Sequence, residues 1–301
     1  MGERSIAATG TRVNAHLKTR RRMIVDCHTH IFSPEVCRNR NPWLKDAPFS
    51  LIYRNPSAKL ADHPTLLSAM DGAGVDVAIV MGFPWANPEF CRLQNEYLQH
   101  AAAESGGRII PFGSIPISAK QDIEQWMEDI AGAGMRGVGE IAFYGEGVTD
   151  ESLSFLNRVL SSAVRLDLPV CIHVNEPVGH QYTGKYEPRL AAICEVIAKT
   201  PAARIILSHW GGGLCFYELM PEVRAALSSC FYDTAATPFL YREDIYRVGV
   251  EIAGADRILF GSDYPLCHPS RYMDAIPRAL PRLQDRSGIL GGNAVRMLGL
   301  P

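Results

Sequence analysis

From Met23 onward the chain alternates short β-branched apolar runs with longer segments whose apolar residues recur at helical spacing. The runs fall at 23–30, 76–83, 109–116, 135–143, 169–176, 204–210, 230–235 and 257–263, which makes eight predicted strands. Amphipathic stretches separate most of them, among others Pro88 to Ser105, Ser118 to Ala131, Ser152 to Leu166 and Pro188 to Lys199. Strands that alternate with helices imply right-handed crossovers and a parallel sheet. Eight such units at a spacing of roughly thirty residues predict an α/β fold, a single closed (β/α)8 TIM barrel rather than an open doubly wound sheet. The ending Ile289 to Leu298 reads as a last short helix after a glycine turn, packed on the outside of the barrel.

The polar residues that end these runs carry the chemistry. Five of the eight close on metal-binding types: His28 and His30, Glu140, His173, His209, and Asp263. In a strand successive side chains alternate between faces, so Asp26, His28 and His30 are expected on one face and Cys27 and Thr29 on the other, with both histidines pointing into the barrel. All six candidates lie at the C-terminal ends of their runs, the face where barrel enzymes place their chemistry. Imidazole nitrogen and carboxylate oxygen suit zinc, manganese or iron, and so many of them buried in one barrel mouth would be costly without a cation. A lone histidine at a strand end is more often a hydrogen-bonded core residue, so the weight rests on the set.

One connection stands apart. From Ile31 to about Thr65 the chain holds Trp43, Phe49, Tyr53, three arginines and several prolines with no predicted element of its own, the mark of a lid or binding loop, or else of an inert surface excursion. The first twenty-two residues lack hydrophobic periodicity and end in a Lys18 to Arg22 basic run, so residues 1–22 are expected to be a solvated, disordered or extended tail and 23–301 the barrel domain. No apolar signal core follows the arginines, and no apolar run approaches the ~20 residues of a membrane span. Net charge is −2, which argues against nucleic acid as a partner because phosphate binding needs a concentrated basic face. The eight cysteines are scattered without paired spacing and are expected to be reduced, in keeping with a cytoplasmic protein, and a homo-oligomer is allowed.

Asp26-Cys-His28-Thr-His30, Gly139-Glu140-Ile141, Ile172-His173, Ser208-His209-Trp210-Gly211-Gly212 and Phe260-Gly261-Ser262-Asp263-Tyr264-Pro265 resemble the amidohydrolase superfamily, in its amidohydrolase-related branch with the aminocarboxymuconate semialdehyde decarboxylase. The resemblance runs from Met23 to Gly292-Asn293-Ala294. It implies that His28, His30, His173 and Asp263 hold zinc or another divalent ion such as manganese, with His209 beside the ion and the substrate, and with Asp263 and His209 catalytic. Asp26 would hydrogen-bond a ligand or neighbouring loop. Three roles stay open to Glu140: bridging two ions, completing one coordination sphere, or anchoring His28 or His173. By strand-end placement Trp85, Tyr144, Asn175, Tyr182, Lys185 and Trp210 are candidate substrate contacts, with Arg38, Arg54 or Lys185 available for a carboxylate, although plain packing is open to each. The leading expectation is a metal-dependent hydrolase that opens a lactone, ester or amide in a small carboxylated substrate. The alternative is a lyase, a metal-dependent non-oxidative decarboxylase of a small unsaturated acid using the same ligands.

Overall fold

In the computed structural model, which describes residues 22–118 and 122–300, eight short strands follow one another around a closed cylinder. The predicted tail lies outside the described residues apart from Arg22. Strand β1 (Val25–His30) pairs in parallel with β2 (Val77–Met81), and β2 with β3 (Ile109–Phe112). A second run of parallel pairs joins β4 (Val138–Ile141), β5 (Val170–Ile172), β6 (Ile205–Leu207), β7 (Cys230–Asp233) and β8 (Ile258–Leu259) in that order. Parallel bridges close both seams, Gly113 to Val138 and Thr29 to Tyr264, and the second is reinforced by Cys27 N donating to Phe260 O and Asp263 N to His28 O. The predicted (β/α)8 barrel is therefore the fold. The ladders are shorter than the apolar runs suggested, which leaves His173, His209 and Asp263 just past the last paired residue of their strands.

Strict alternation does not survive in β1. Its register against β2 shifts between Asp26 and Thr29, and Cys27 joins the interior cluster with Ile79, Phe112, Cys171, Ile206 and Leu259 instead of facing outward. A bulge of this kind re-aims the side chains after it, and here it brings His28 and His30 to the mouth. The last helix, Asn293–Leu298, also departs from expectation. Ala294, Met297 and Leu298 pack with that same interior cluster, so the helix joins the interior packing rather than only the outer surface. Its end is tied by Arg136 donating to Leu298 O and Arg204 to Met297 O.

The outer helices start and stop where capping chemistry dictates. Pro88–Glu104 begins at Asn87, whose side chain accepts the N–H groups of Glu89 and Phe90, and it buries Phe90, Cys91, Leu98 and Ala101 on one face. Asp150–Leu166 starts two residues before its predicted beginning because Thr149 and Ser152 form a reciprocal cap. The segment after β1 is not structureless: it folds into Pro34–Arg38, a single turn at Asn41–Trp43, and Ala47–Tyr53, each with proline in its first turn. Asp46 caps the third. Among the described residues no helix is long and apolar enough to cross a membrane.

Candidate metal centre

The cluster begins with His28, fully buried at the inner end of the mouth. Its Nδ1 lies 2.8 Å from Asp233 Oδ2, and a carboxylate can only accept, so Nδ1 carries the proton and Nε2 turns a lone pair into the mouth. Nε2 of His30 is 3.0 Å from it. Asp263 Oδ1 stands 3.7 and 3.6 Å from these two nitrogens, and Glu140 Oε2 likewise 3.7 and 3.6 Å. The other oxygen of Glu140 faces a second group: Oε1 is 3.0 Å from His173 Nδ1 and 3.6 Å from His209 Nε2, and those two nitrogens are 3.2 Å apart. Every metal candidate read from the sequence is thus gathered in one cluster, as two triads sharing a wall at Glu140.

This set fits a divalent ion. Nitrogen and oxygen ligands about 2.0–2.2 Å from one ion sit roughly 3.0–3.6 Å from each other, which is close to the spacing found around His28 and His30. The electrostatics point the same way. Burial opposes a proton on His28, yet the carboxylates of Glu140 and Asp233 outweigh it and hold its pKa well above the ordinary histidine value. Burial opposes a charge on Glu140 too, and the imidazoles of His173 and His28 still keep it well below the usual carboxylate range. His209, against burial, is pushed up to about 9, mainly by Glu140. The cluster attracts positive charge, which one cation supplies more compactly than several protons.

Backbone shape holds these groups in place. Gly139 has φ +142° and the Cβ of Cys171 only 2.8 Å from where its own would lie, so the residue before Glu140 has room for no side chain. His209 and Asp263 both adopt left-handed backbone, at φ 56° and 63°, a conformation that costs energy for such residues and persists because the surroundings enforce it. For His209 the enforcement is its N–H donating to Asp233 Oδ1 at 2.8 Å and its Nδ1 donating to Ala235 O at 3.1 Å; for Asp263 it is the bond to His28 O at 2.9 Å. Asp26 accepts from Ser262 N and His28 N from below, while burial pushes its pKa up to about 7.

Asp233 was missed in the sequence. It orients His28 and His209 at once, and the signal was present, since it follows the apolar Cys230-Phe231-Tyr232 within the 230–235 run and ends β7.

Above the cluster lies a cavity of about 470 Å³. His30, Glu140, His173, His209 and Asp263 reach it from below, and Ile52, Tyr53, Phe83, Tyr144, Tyr182, Phe239 and Leu266 wall it. Among the described residues Lys59 is the one lysine or arginine in its lining. Gly184, at φ +89°, passes so close to Ile52 that an added Cβ would sit 2.5 Å from its Cδ1. Of the expected substrate contacts, Tyr144 and Tyr182 line the cavity and four do not. Trp85 is buried with its indole N–H on Gln94; Trp210 is buried with its N–H on Thr237. Asn175 donates to His173 Nε2 and accepts Tyr186 N–H, so it steers His173 from behind. Lys185 spends its ammonium on the carbonyls of Val178 and His180. Arg38 pairs with Glu35 and Arg54 with Ser50, both outside the lining.

A profile of the Amidohydrolase family matches residues 25–300. The chain belongs to the amidohydrolase family. It is accordingly an enzyme of a metal-dependent superfamily. No curated protein matches it. Solved structures share the fold. The 5-carboxyvanillate decarboxylase of Sphingomonas paucimobilis is 15% identical with a TM-score of 0.74, over 93% of this chain and 99% of that one. The 2,6-dihydroxybenzoate decarboxylase of Rhizobium is 19% identical with a TM-score of 0.69, over 93% and 99%. The 5-carboxyvanillate decarboxylase of Novosphingobium aromaticivorans, solved with manganese and 4-hydroxy-3-methoxy-5-nitrobenzoic acid, is 16% identical with a TM-score of 0.72, over 93% and 96%. At such identities the likeness carries the fold. The leading expectation of a lactone, ester or amide hydrolase is overturned, since these structural neighbours are decarboxylases; sequence reasoning could not separate the reactions because both use the same ligands.

Proposed function

We propose that this amidohydrolase is a divalent-metal-dependent, non-oxidative decarboxylase of a small hydroxylated aromatic acid. The observation that carries it is the cavity: flat aromatic walls at Tyr53, Phe83, Tyr144 and Tyr182 open directly onto the donor cluster. A planar acid fits between such walls with its carboxyl group toward the floor. His28, His30 and Asp263, with Glu140, would hold the ion, and manganese or zinc suits these ligands. When bound, the ion binds and orients the anionic groups of the acid and neutralises their charge.

The chain's own groups do the rest. Asp233 keeps the free nitrogen of His28 aimed at the mouth, and Asn175 aims His173. The aromatic walls exclude water and hold the ring in one plane. Asp263, on the cavity floor, carries a proton to the ring carbon that bears the carboxyl group. The carbon–carbon bond then breaks, its electron pair returns to the ring, and carbon dioxide leaves, so proton and electrons balance without an oxidant. His209 lies beside Glu140 and lines the same floor, where it orients the leaving carboxylate.

The test is incubation of the manganese-loaded protein with 2,6-dihydroxybenzoate and with 5-carboxyvanillate, following the phenolic product by chromatography and released carbon dioxide by trapping. Equal amounts of both products support the reading. Metal-loaded protein that leaves every hydroxylated benzoic acid in a broad panel untouched sinks it.

A further inference from the structure

The cavity wall formed by Ile52, Tyr53 and Phe83 belongs to loops, not to the barrel. Ile52 and Tyr53 ride on the short helix Ala47–Tyr53, and Phe83 on the segment that follows β2. Among the described residues no backbone hydrogen bond joins the helix to residues 83–87. One side chain does. Asp46, only 3% exposed, accepts Phe49 N–H through Oδ1 at 3.1 Å and, through Oδ2, the N–H groups of Ala86 and Asn87 at 2.9 and 2.8 Å. Its carboxylate therefore caps the helix and ties that helix to the opposite loop. Above the tie Phe49 lies flat on Trp85, with ring centres 4.8 Å apart and an interplanar angle of 18°. Tyr53 stands 5.6 Å from Phe83 across the cavity wall. Asp46 itself neither lines the cavity nor approaches the donor cluster.

We propose that Asp46 is a positioning residue for the substrate cavity: by tying the Ala47–Tyr53 helix to residues 83–87 it sets the wall formed by Tyr53 and Phe83, and with it the affinity for substrate. The identity of that substrate rests on the decarboxylase reading. A carboxylate is required because three donors converge on it. Asparagine would turn its own N–H groups toward one side of the tie, and serine would keep the cap on Phe49 but fall short of Ala86 and Asn87.

The experiment compares wild type, Asp46→Ser and Asp46→Asn as full-length, manganese-loaded protein. It reads amide hydrogen exchange by peptide, metal content, and kcat and KM on 2,6-dihydroxybenzoate. In both variants exchange should rise in peptides covering 47–53 and 84–90 and stay slow in the strands. Metal content should hold, kcat should stay within about threefold, and KM should rise about tenfold, the loss of one good contact. Unchanged exchange at 84–90 overturns the tie. A fall in metal content, or kcat falling with KM constant, overturns the assignment by placing the effect on the floor of the site. If Asp46→Ser does not fold, Asp46→Asn carries the same outcomes. If wild type leaves the acid untouched, the decarboxylase reading fails separately, and Asp46 is judged by exchange at 47–53 and 84–90, where unchanged rates overturn it.

Discussion

The floor and the wall of the cavity are built on different principles. The floor is a set of strand ends: His28 and His30 on β1, Glu140 on β4, Asp233 on β7, and His173, His209 and Asp263 one to four residues past their ladders. Its geometry is fixed by barrel hydrogen bonds and by short polar contacts among buried, mutually charged groups. The wall is a set of loops held by ring packing, by the close pass of Gly184 under Ile52, and by single buried side chains such as Asp46 and Gln94. For the proposed reaction the difference assigns chemistry to the part fixed by barrel hydrogen bonds and selection of substrate to the part that can be rebuilt by loop substitutions.

The largest expected effect breaks the floor at Asp263, the proton carrier in the proposed reaction. Compared at equal metal content, because Asp263 is also a proposed ligand, Asp263→Asn should lower kcat by about 10²–10⁴-fold, the usual worth of a positioned acid or base, while KM changes little. Steady-state kinetics check this, and a loss below tenfold would remove Asp263 from that role. Next comes the support beneath the floor. In Asp233→Asn the amide oxygen stays with the backbone N–H groups of His209 and Ala235 and the amide nitrogen faces His28 Nδ1, so His28 loses its acceptor and metal affinity should fall about 10–100-fold, measured by competition with a chromogenic chelator. Unchanged affinity would mean that the barrel alone orients His28.

These two residues also mark how far the sequence could be read. The barrel was legible because eight apolar runs alternate with amphipathic segments, and a parallel sheet with crossovers has few other solutions. The floor was legible because strand ends are local: a polar residue closing an apolar run states its own position. Asp233 obeyed that rule and went unread, since an aspartate in Phe231-Tyr232-Asp233-Thr234 lacks the distinctive look of His-x-His. The β1 bulge that admits Cys27 to the interior and the inward packing of the last helix are tertiary outcomes no periodicity reports. The wall was legible only in part: the segment holding Tyr53 reads as a lid or binding loop, and Tyr144 and Tyr182 as contacts, but Phe239 is not singled out. Tyr53 and Phe239 come from short helices 186 residues apart in the chain, and nothing local distinguishes them from Trp85 and Trp210, whose indole N–H groups are spent inside the core.

A wall change should show the opposite kinetic signature to a floor change. Gly184→Ala forces a side chain into left-handed backbone against Ile52, so the loop must lift from the Ala47–Tyr53 helix. KM should rise about three- to tenfold with metal content and kcat nearly intact, as kinetics and elemental analysis will show. A matching drop in kcat would mean that the 176–189 loop also positions the floor, and the two regions would no longer be separable.

The smallest effect is expected at Lys185, the residue whose sequence reading and position diverge most. Its ammonium donates to the carbonyls of Val178 and His180 at 2.6 and 3.0 Å and lies 5.4 Å from the Tyr182 ring centre, on the outer side of the loop. Exposed contacts of this kind contribute little, on the order of 0.2–1 kcal/mol, so Lys185→Met should shift KM by less than about threefold. Lys59, the cation that does line the cavity, should matter more for any substrate with a second anionic group: Lys59→Met is expected to cost such a substrate about tenfold in kcat/KM and a mono-acid almost nothing. If instead Lys185→Met proved the more damaging of the pair, the 176–189 loop would have to turn inward on binding. The wall would then be assembled by the substrate rather than presented to it.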